Sequence, residues 1–108
     1  MSGLERACSI DDLAPGEARR CDVAGHRIAV VRVGDDFYAV GDRCSHANFS
    51  LSEGEVLTED LEIECWKHGS AFSLTTGQPQ SLPATKPVPV YEVRVEGADV
   101  MVRIPGQA

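Results

Sequence analysis

Two short stretches of this chain each set a thiol close to an imidazole: Cys44-Ser45-His46 and Cys65-Trp66-Lys67-His68. Sulfur and imidazole nitrogen are soft to borderline donors, so they suit a tetrahedral metal or an iron–sulfur centre and not calcium or magnesium, which want oxygen. A single zinc ion can take the same four donors, but zinc-finger sequences usually run as a close Cys pair followed by a close His pair. The order here is mixed. A [2Fe–2S] cluster with two Cys on one iron and two His on the other needs each stretch to supply one ligand to each iron, and the repeated Cys/His order meets that division. A zinc-binding structural module remains the alternative at this point.

The other residues of these types read differently. Of four Cys and three His, four fall into the two constellations. Cys8 and Cys21 lie far upstream with no His or Cys at ligand spacing, which marks them as small core residues. His26, in Gly25-His26-Arg27, follows a turn and reads as an exposed strand residue.

What must position the two stretches is a β scaffold. Leu61-Glu62-Ile63-Glu64-Cys65 alternates apolar and acidic side chains, as a half-buried strand does, and delivers Cys65 to a loop tip. Upstream, Glu5 to Ile10 and Glu17 to Ala24 read as strands. Gly25 turns the chain into the β-branched run His26 to Val33, and Gly34-Asp35-Asp36 turns it again into Phe37 to Val40. This first third reads as an antiparallel meander, with Asp11 to Gly16 as a turn. Downstream, Val90 to Val95 and Val100 to Ile104 read as a closing hairpin, with Tyr91, Val93 and Val95 on one face. Pro79, Pro83, Pro87 and Pro89 make the segment before it a stiff loop that cannot join a central strand.

At 108 residues the chain suits one domain, 1–108, with a modest core. It has no apolar run of signal-peptide or membrane-spanning length, so a soluble, cytoplasmic protein with no membrane partner is expected. A formal charge of −7 argues against nucleic acid and anionic lipid. The acid is uneven: Glu53, Glu55, Glu59, Asp60, Glu62 and Glu64 crowd the interval between the two stretches, which holds no Lys or Arg. This is a solvated face or a docking surface for a basic partner.

The pattern Cys-x-His … Cys-x-x-His, continued by Gly69-Ser70-x-Phe72, resembles the Rieske family over nearly the whole chain. The resemblance implies an all-β fold: an antiparallel β-sandwich base with a small inserted cluster-binding subdomain at about 41–76. It implies one [2Fe–2S] cluster held by Cys44, His46, Cys65 and His68, with the proline-rich segment packed over it at Leu82-Pro83-Ala84. High-potential members carry an additional Cys in each loop, joined as a disulfide, and a Tyr that bonds a cluster ligand. Here Ala47-Asn48-Phe49 follows His46, Lys67 stands in the place of the second additional Cys, and Phe72 in that of the Tyr. Trp66 replaces the proline common after the second Cys. Ser70 remains as a donor to a bridging sulfide, and Lys67, Trp66 and Pro83 flank the site. These departures resemble the low-potential ferredoxins of bacterial ring-hydroxylating oxygenases.

Two thiolates leave an oxidised [2Fe–2S] core neutral where four would leave it negative, so an electron adds more easily, within a window of about −150 to +300 mV. The missing disulfide and hydroxyl place this chain toward the low end. An oxygenase site of two His and a carboxylate cannot be built as well, because only His26 is left. The reading is therefore a non-catalytic one-electron carrier between a flavin-dependent ferredoxin reductase and a terminal oxygenase, with no small-molecule substrate of its own. Besides zinc, the alternatives are a nitrite-reductase-like small subunit and a ferredoxin serving iron–sulfur cluster assembly.

Overall fold

The computed structural model describes residues 4–43, 50–65, 70–80 and 87–104. Its strands are β1 (Leu4–Ser9), β2 (Ala18–Val23), β3 (His26–Val33), β4 (Asp36–Gly41), β5 (Glu55–Leu57), β6 (Glu62–Glu64), β7 (Ala71–Ser73), β8 (Val90–Tyr91), β9 (Val93–Glu96) and β10 (Asp99–Arg103). They form three antiparallel sheets, in the orders β1-β10-β9, β2-β3-β4-β8 and β5-β6-β7. The all-β class and the antiparallel base carrying a smaller third sheet agree with the expectation from sequence.

β3 explains why the sheets hold together. A strand buried on both faces carries a continuous apolar run rather than an alternating one, and Ile28 to Val31 are all fully buried. Ile28 and Val30 face one core with Cys8, Cys21, Val100, Val102 and Ile104. Ala29 and Val31 face a second core with Val40, Leu51, Ile63, Cys65, Phe72, Leu74 and Val88. The first core joins the two base sheets, and the second seats the β5-β6-β7 sheet on the base. Each buried Val, Leu or Ile contributes about 1.5–3 kcal/mol, so the third sheet is held by packing and not only by the chain's own continuity.

The turns follow local chemistry. Ala24 and Gly25 both have positive φ, 49° and 84°, the geometry that matches the twist of a two-residue hairpin. A 3-10 turn at Ile10–Asp12 is capped by Ser9, whose backbone N–H donates to Asp12 Oδ2 at 2.9 Å. Arg32 closes its far side by donating from Nη1 to the Leu13 carbonyl at 2.8 Å while its guanidinium lies over Phe37.

Two expectations are corrected. Only β2, β3 and β4 form a meander; β1 leaves it and pairs with the last strand, Cys8 opposite Val100. The Val90 to Val95 run is also not one strand. It changes sheets at Glu92, β8 adding to β4 and β9 to β10. Tyr91 is consequently buried while Val95 is 45% exposed; the crossing breaks the common face that alternation implied. Cys8 and Cys21 are core residues, as read from their isolation. The Cys8 thiol is pushed far above its ordinary range by its interaction with Cys21 and by burial, which keeps it protonated and inert.

Candidate metal centre

Of the four expected ligands, Cys65 lies within the described residues, and Cys44, His46 and His68 lie outside them, as do the flanking Lys67, Trp66 and Pro83. The described residues do give the feet of the three segments in which these residues sit.

The second stretch leaves β6 at Cys65 and returns at β7. Alternation along β6 turns Ile63 and Cys65 inward, and both are fully buried. The Cys65 N–H donates to the Ser70 carbonyl at 2.7 Å, and Glu64 pairs with Ala71, so the 66–69 segment is closed at its base by a strand ladder. Cys65 is a free thiol packed in the same apolar cluster as Phe72, and Ser70 and Phe72 are wholly buried with it. Phe72 thus keeps water from the Cys65 side of the site and presents no hydroxyl there.

The first stretch leaves the end of β4. Arg43 and Ser50 bridge across its base, and the Leu51 N–H donates to the Asp42 carbonyl. The chain then makes a 3-10 turn at Leu51–Glu53 and enters β5 through Gly54. Gly54 is required by contact: a Cβ there would stand 1.6 Å from the Glu64 carbonyl oxygen. This approach presses the exit of the first stretch against the entry of the second.

The third segment is tied at both ends. The Gln80 N–H donates to the Ala71 carbonyl at 2.6 Å and Pro79 bridges Phe72, extending the third sheet at its edge, where a proline is tolerated. At the other end the Val88 N–H donates to the Gly77 carbonyl at 2.9 Å and the Gly41 N–H to the Pro89 carbonyl at 2.8 Å. The proline-rich segment therefore returns to the end of β4, next to where the first stretch begins.

A buried carboxylate at the first foot was given no role in the sequence reading. Asp42 has no exposed surface; its Oδ1 accepts from the Ser52 N–H at 2.9 Å, and its Oδ2 lies 3.4 Å from Arg27 Nη2, which also donates to Ser50 Oγ at 2.8 Å. The signal for it was an acid one glycine beyond the apolar run Phe37 to Val40, where a strand that simply ended would expose it. His26, expected to be exposed, is half-buried instead: its Nδ1 lies 3.4 Å from the Tyr91 hydroxyl, ring edge to ring face. Burial raises the Tyr91 pKa, so the hydroxyl stays protonated.

A model of the Rieske [2Fe-2S] domain matches residues 4–92. The chain belongs to the Rieske [2Fe–2S] family. The 3-phenylpropionate/cinnamic acid dioxygenase ferredoxin subunit of Escherichia coli (strain K12) is 46% identical over 99 residues, covering 92% of each chain. Among solved structures, the ferredoxin of carbazole 1,9a-dioxygenase from Nocardioides aromaticivorans IC177 matches with a TM-score of 0.89 and 42% identity over 94% of this chain and 97% of that one. A complex of reduced oxygenase and oxidized ferredoxin in carbazole 1,9a-dioxygenase matches with a TM-score of 0.84 and 44% identity over 95% and 94%.

The cofactor of this Rieske chain is a [2Fe–2S] cluster, and its class is that of electron-carrying ferredoxins rather than catalytic subunits. The donor set suits that group: Cys65 is a free buried thiol at the mouth of a closed segment, and the feet of both Cys/His stretches lie against each other. No helix among the described residues is long and apolar enough to cross a membrane.

Proposed function

We propose that this chain is a single Rieske domain, 1–108, whose cluster-binding subdomain spans about 41–76, and that it passes electrons from a flavin-dependent reductase to a terminal oxygenase in the cytoplasm. Cys44 and Cys65 hold one iron, and His46 and His68 the other. The bound cluster supplies storage of one electron at a time. The protein's own part is to hold the ligands on rigid feet, so that little rearranges when the electron arrives. Phe72, Leu51 and Ile63 keep the Cys65 side dry, which strengthens the influence of nearby charges and dipoles on the potential.

The observation that carries this reading is the double Cys/His arrangement on two segments whose bases the strand ladder and Gly54 press together. The oxygenase partner is supported by the relatives, which are named as dioxygenase ferredoxins, one of them in complex with its oxygenase. The acidic interval supports docking to a basic surface: Glu53 and Glu55 are exposed at the end of the third sheet that carries the second foot, and Glu59 and Asp60 are exposed on the β5-β6 turn at its other end. The carrier recognises protein surfaces and needs no small-molecule pocket, nucleic acid or membrane.

The test is reconstitution with NADH, a flavoprotein reductase and an aromatic-ring oxygenase from the same operon. Product should form only when this chain is present, and Cys65→Ser should abolish it. Equal turnover without the chain would contradict the oxygenase role, and transfer of electrons only to cluster-assembly proteins would assign the carrier to that system instead.

A further inference from the structure

The pairing beneath the first stretch is oddly built for an ion pair that only stabilises. Asp42 is completely buried, and burying a carboxylate is costly unless it is paired and hydrogen-bonded. An arginine chosen for strength meets a carboxylate with two parallel bonds. Arg27 does not: Nη2 alone reaches Asp42, at the long distance of 3.4 Å, and its short bond of 2.8 Å goes to Ser50 Oγ. Its Nε is buried with no hydrogen-bond partner among the described residues. The guanidinium is thus placed to span Asp42 and Ser50, at the entry and the exit of the first stretch, rather than to saturate one partner.

Everything else at Asp42 points the same way. Its backbone N–H donates to the Arg27 carbonyl at 3.0 Å, which fixes it to β3; its carbonyl takes the Leu51 N–H; its Oδ1 takes the Ser52 N–H. One buried residue therefore holds both the entry and the exit of the 44–49 segment. Asp42 stands two residues before Cys44 in sequence, and two peptide steps span at most about 7 Å between Cα atoms. At this range, in a buried setting, a fixed charge is screened little by salt.

We propose that Arg27 and Asp42 form a clamp that both positions the first ligand-bearing segment and sets the cluster's potential through two opposed charges, Asp42 disfavouring and Arg27 favouring the added electron. This rests on the assignment of Cys44 and His46 as ligands. The clamp residues are positioning residues: Asp42 acts on the segment through the Ser52 and Leu51 amides, and Arg27 through Ser50. Asp42, nearer in chain to the ligands and wholly buried, has the larger influence; Arg27 is 38% exposed at its side chain and is partly screened by water.

The experiment is a redox titration of the holoprotein and its variants, followed by EPR, with iron and sulfide measured on each sample. Asp42→Asn keeps the shape and removes the negative charge, and should raise the potential. Arg27→Gln should lower it by a smaller shift, and the double variant should fall between the two. Arg27→Lys, which keeps the charge but cannot span both partners, should hold a potential closer to wild type than Arg27→Gln does. Ser50→Ala should leave the potential unchanged and speed loss of the cluster under chelator. Single variants that shift the potential in the same direction, or not at all while retaining their cluster, would overturn the proposal. If Asp42→Asn cannot be loaded, the contrast between Arg27→Gln and Arg27→Lys decides by the same criterion. A wild-type protein without two irons and two sulfides fails at the ligand assignment, before any variant is compared, and so is told apart from a failure of the clamp.

Discussion

Gly54→Ala tests how the two Cys/His stretches are held together. The glycine has φ −88° and ψ −175°, which any residue can adopt, so backbone strain contributes nothing to the cost. Replacing a glycine at such a site would by itself stabilise by roughly 0.4–1 kcal/mol, through the unfolded chain. Sterics oppose this. The new methyl would stand 1.6 Å from the Glu64 carbonyl oxygen and 2.8 Å from its carbon, where real Cβ atoms essentially never approach within 3.0 Å. The backbone must open by about 1.4 Å, more than a packed core absorbs, at a typical overpacking cost of 1–3 kcal/mol. The shift also strains the Gly54 N–H bond to Leu51 and the β5-β6 ladder, worth about 1 kcal/mol for each bond lost. The net is a destabilisation of about 2–3 kcal/mol, which for a domain of this size lowers Tm by roughly 10–20 °C. Because Glu64 directly precedes Cys65, the variant should also lose its visible absorbance at a lower temperature than it loses far-UV signal. Scanning calorimetry with parallel absorbance at two wavelengths measures both. Gly97→Ala is the control: φ is +63° but nothing lies within 4 Å of the new methyl, so it should cost only the left-handed penalty of about 1–2 kcal/mol and leave the cluster in place. A Gly54→Ala protein melting within about 3 °C of wild type would refute the close approach.

Phe72→Tyr adds a hydroxyl within the buried cluster that holds Cys65; the potential should rise, and voltammetry showing no rise would mean the hydroxyl does not reach a ligand. Ala24→Asn, at φ 49° before Gly25, supplies the residue that this hairpin turn prefers; it should stabilise by about 0.5–1 kcal/mol, read as a raised denaturant midpoint with an unchanged slope. Replacing Glu59, Asp60 and Glu62 together by their amides should slow reduction by the cognate reductase at low salt and flatten its salt dependence, since steering charges are screened once the Debye length falls to about 10 Å at 0.1 M. Stopped-flow rates unchanged at every salt concentration would make the acidic run a solvated face only. Glu55 faces Glu64 directly across the β5-β6 ladder, so Glu55→Lys should turn a repulsion into an attraction and add about 0.2–1 kcal/mol to stability by denaturation.

Most of the strand pattern was legible because it rests on local periodicity and turn chemistry. β3 announced itself by an unbroken β-branched run between turn residues, and β6 by the alternation that ends at Cys65. Two features were not legible for the same reason: they depend on partners distant in sequence. Nothing near Leu4–Ser9 says that it pairs with the last strand, and nothing in Val90 to Glu96 marks Glu92 as the point where the chain changes sheets. The Cys/His pattern pointed to the family because coordination chemistry restricts both residue type and spacing, and the family match bears that out. The support beneath it was not legible, since Arg27 and Asp42 are fifteen positions apart and meet only once β3 and β4 are paired. Gly54 is constrained by the carbonyl of Glu64, on the facing strand, which nothing beside it in the chain reveals.

The most direct test is pulsed EPR of the reduced protein labelled with nitrogen-15 at histidine. Two strongly coupled histidine nitrogens, in a sample holding two irons and two labile sulfides per chain, are the expected result, and both couplings should persist in His26→Gln while His46→Ser or His68→Ser removes one. A reduced cluster with no strongly coupled histidine nitrogen, or a colourless protein holding one zinc ion, would contradict the assignment of Cys44, His46, Cys65 and His68.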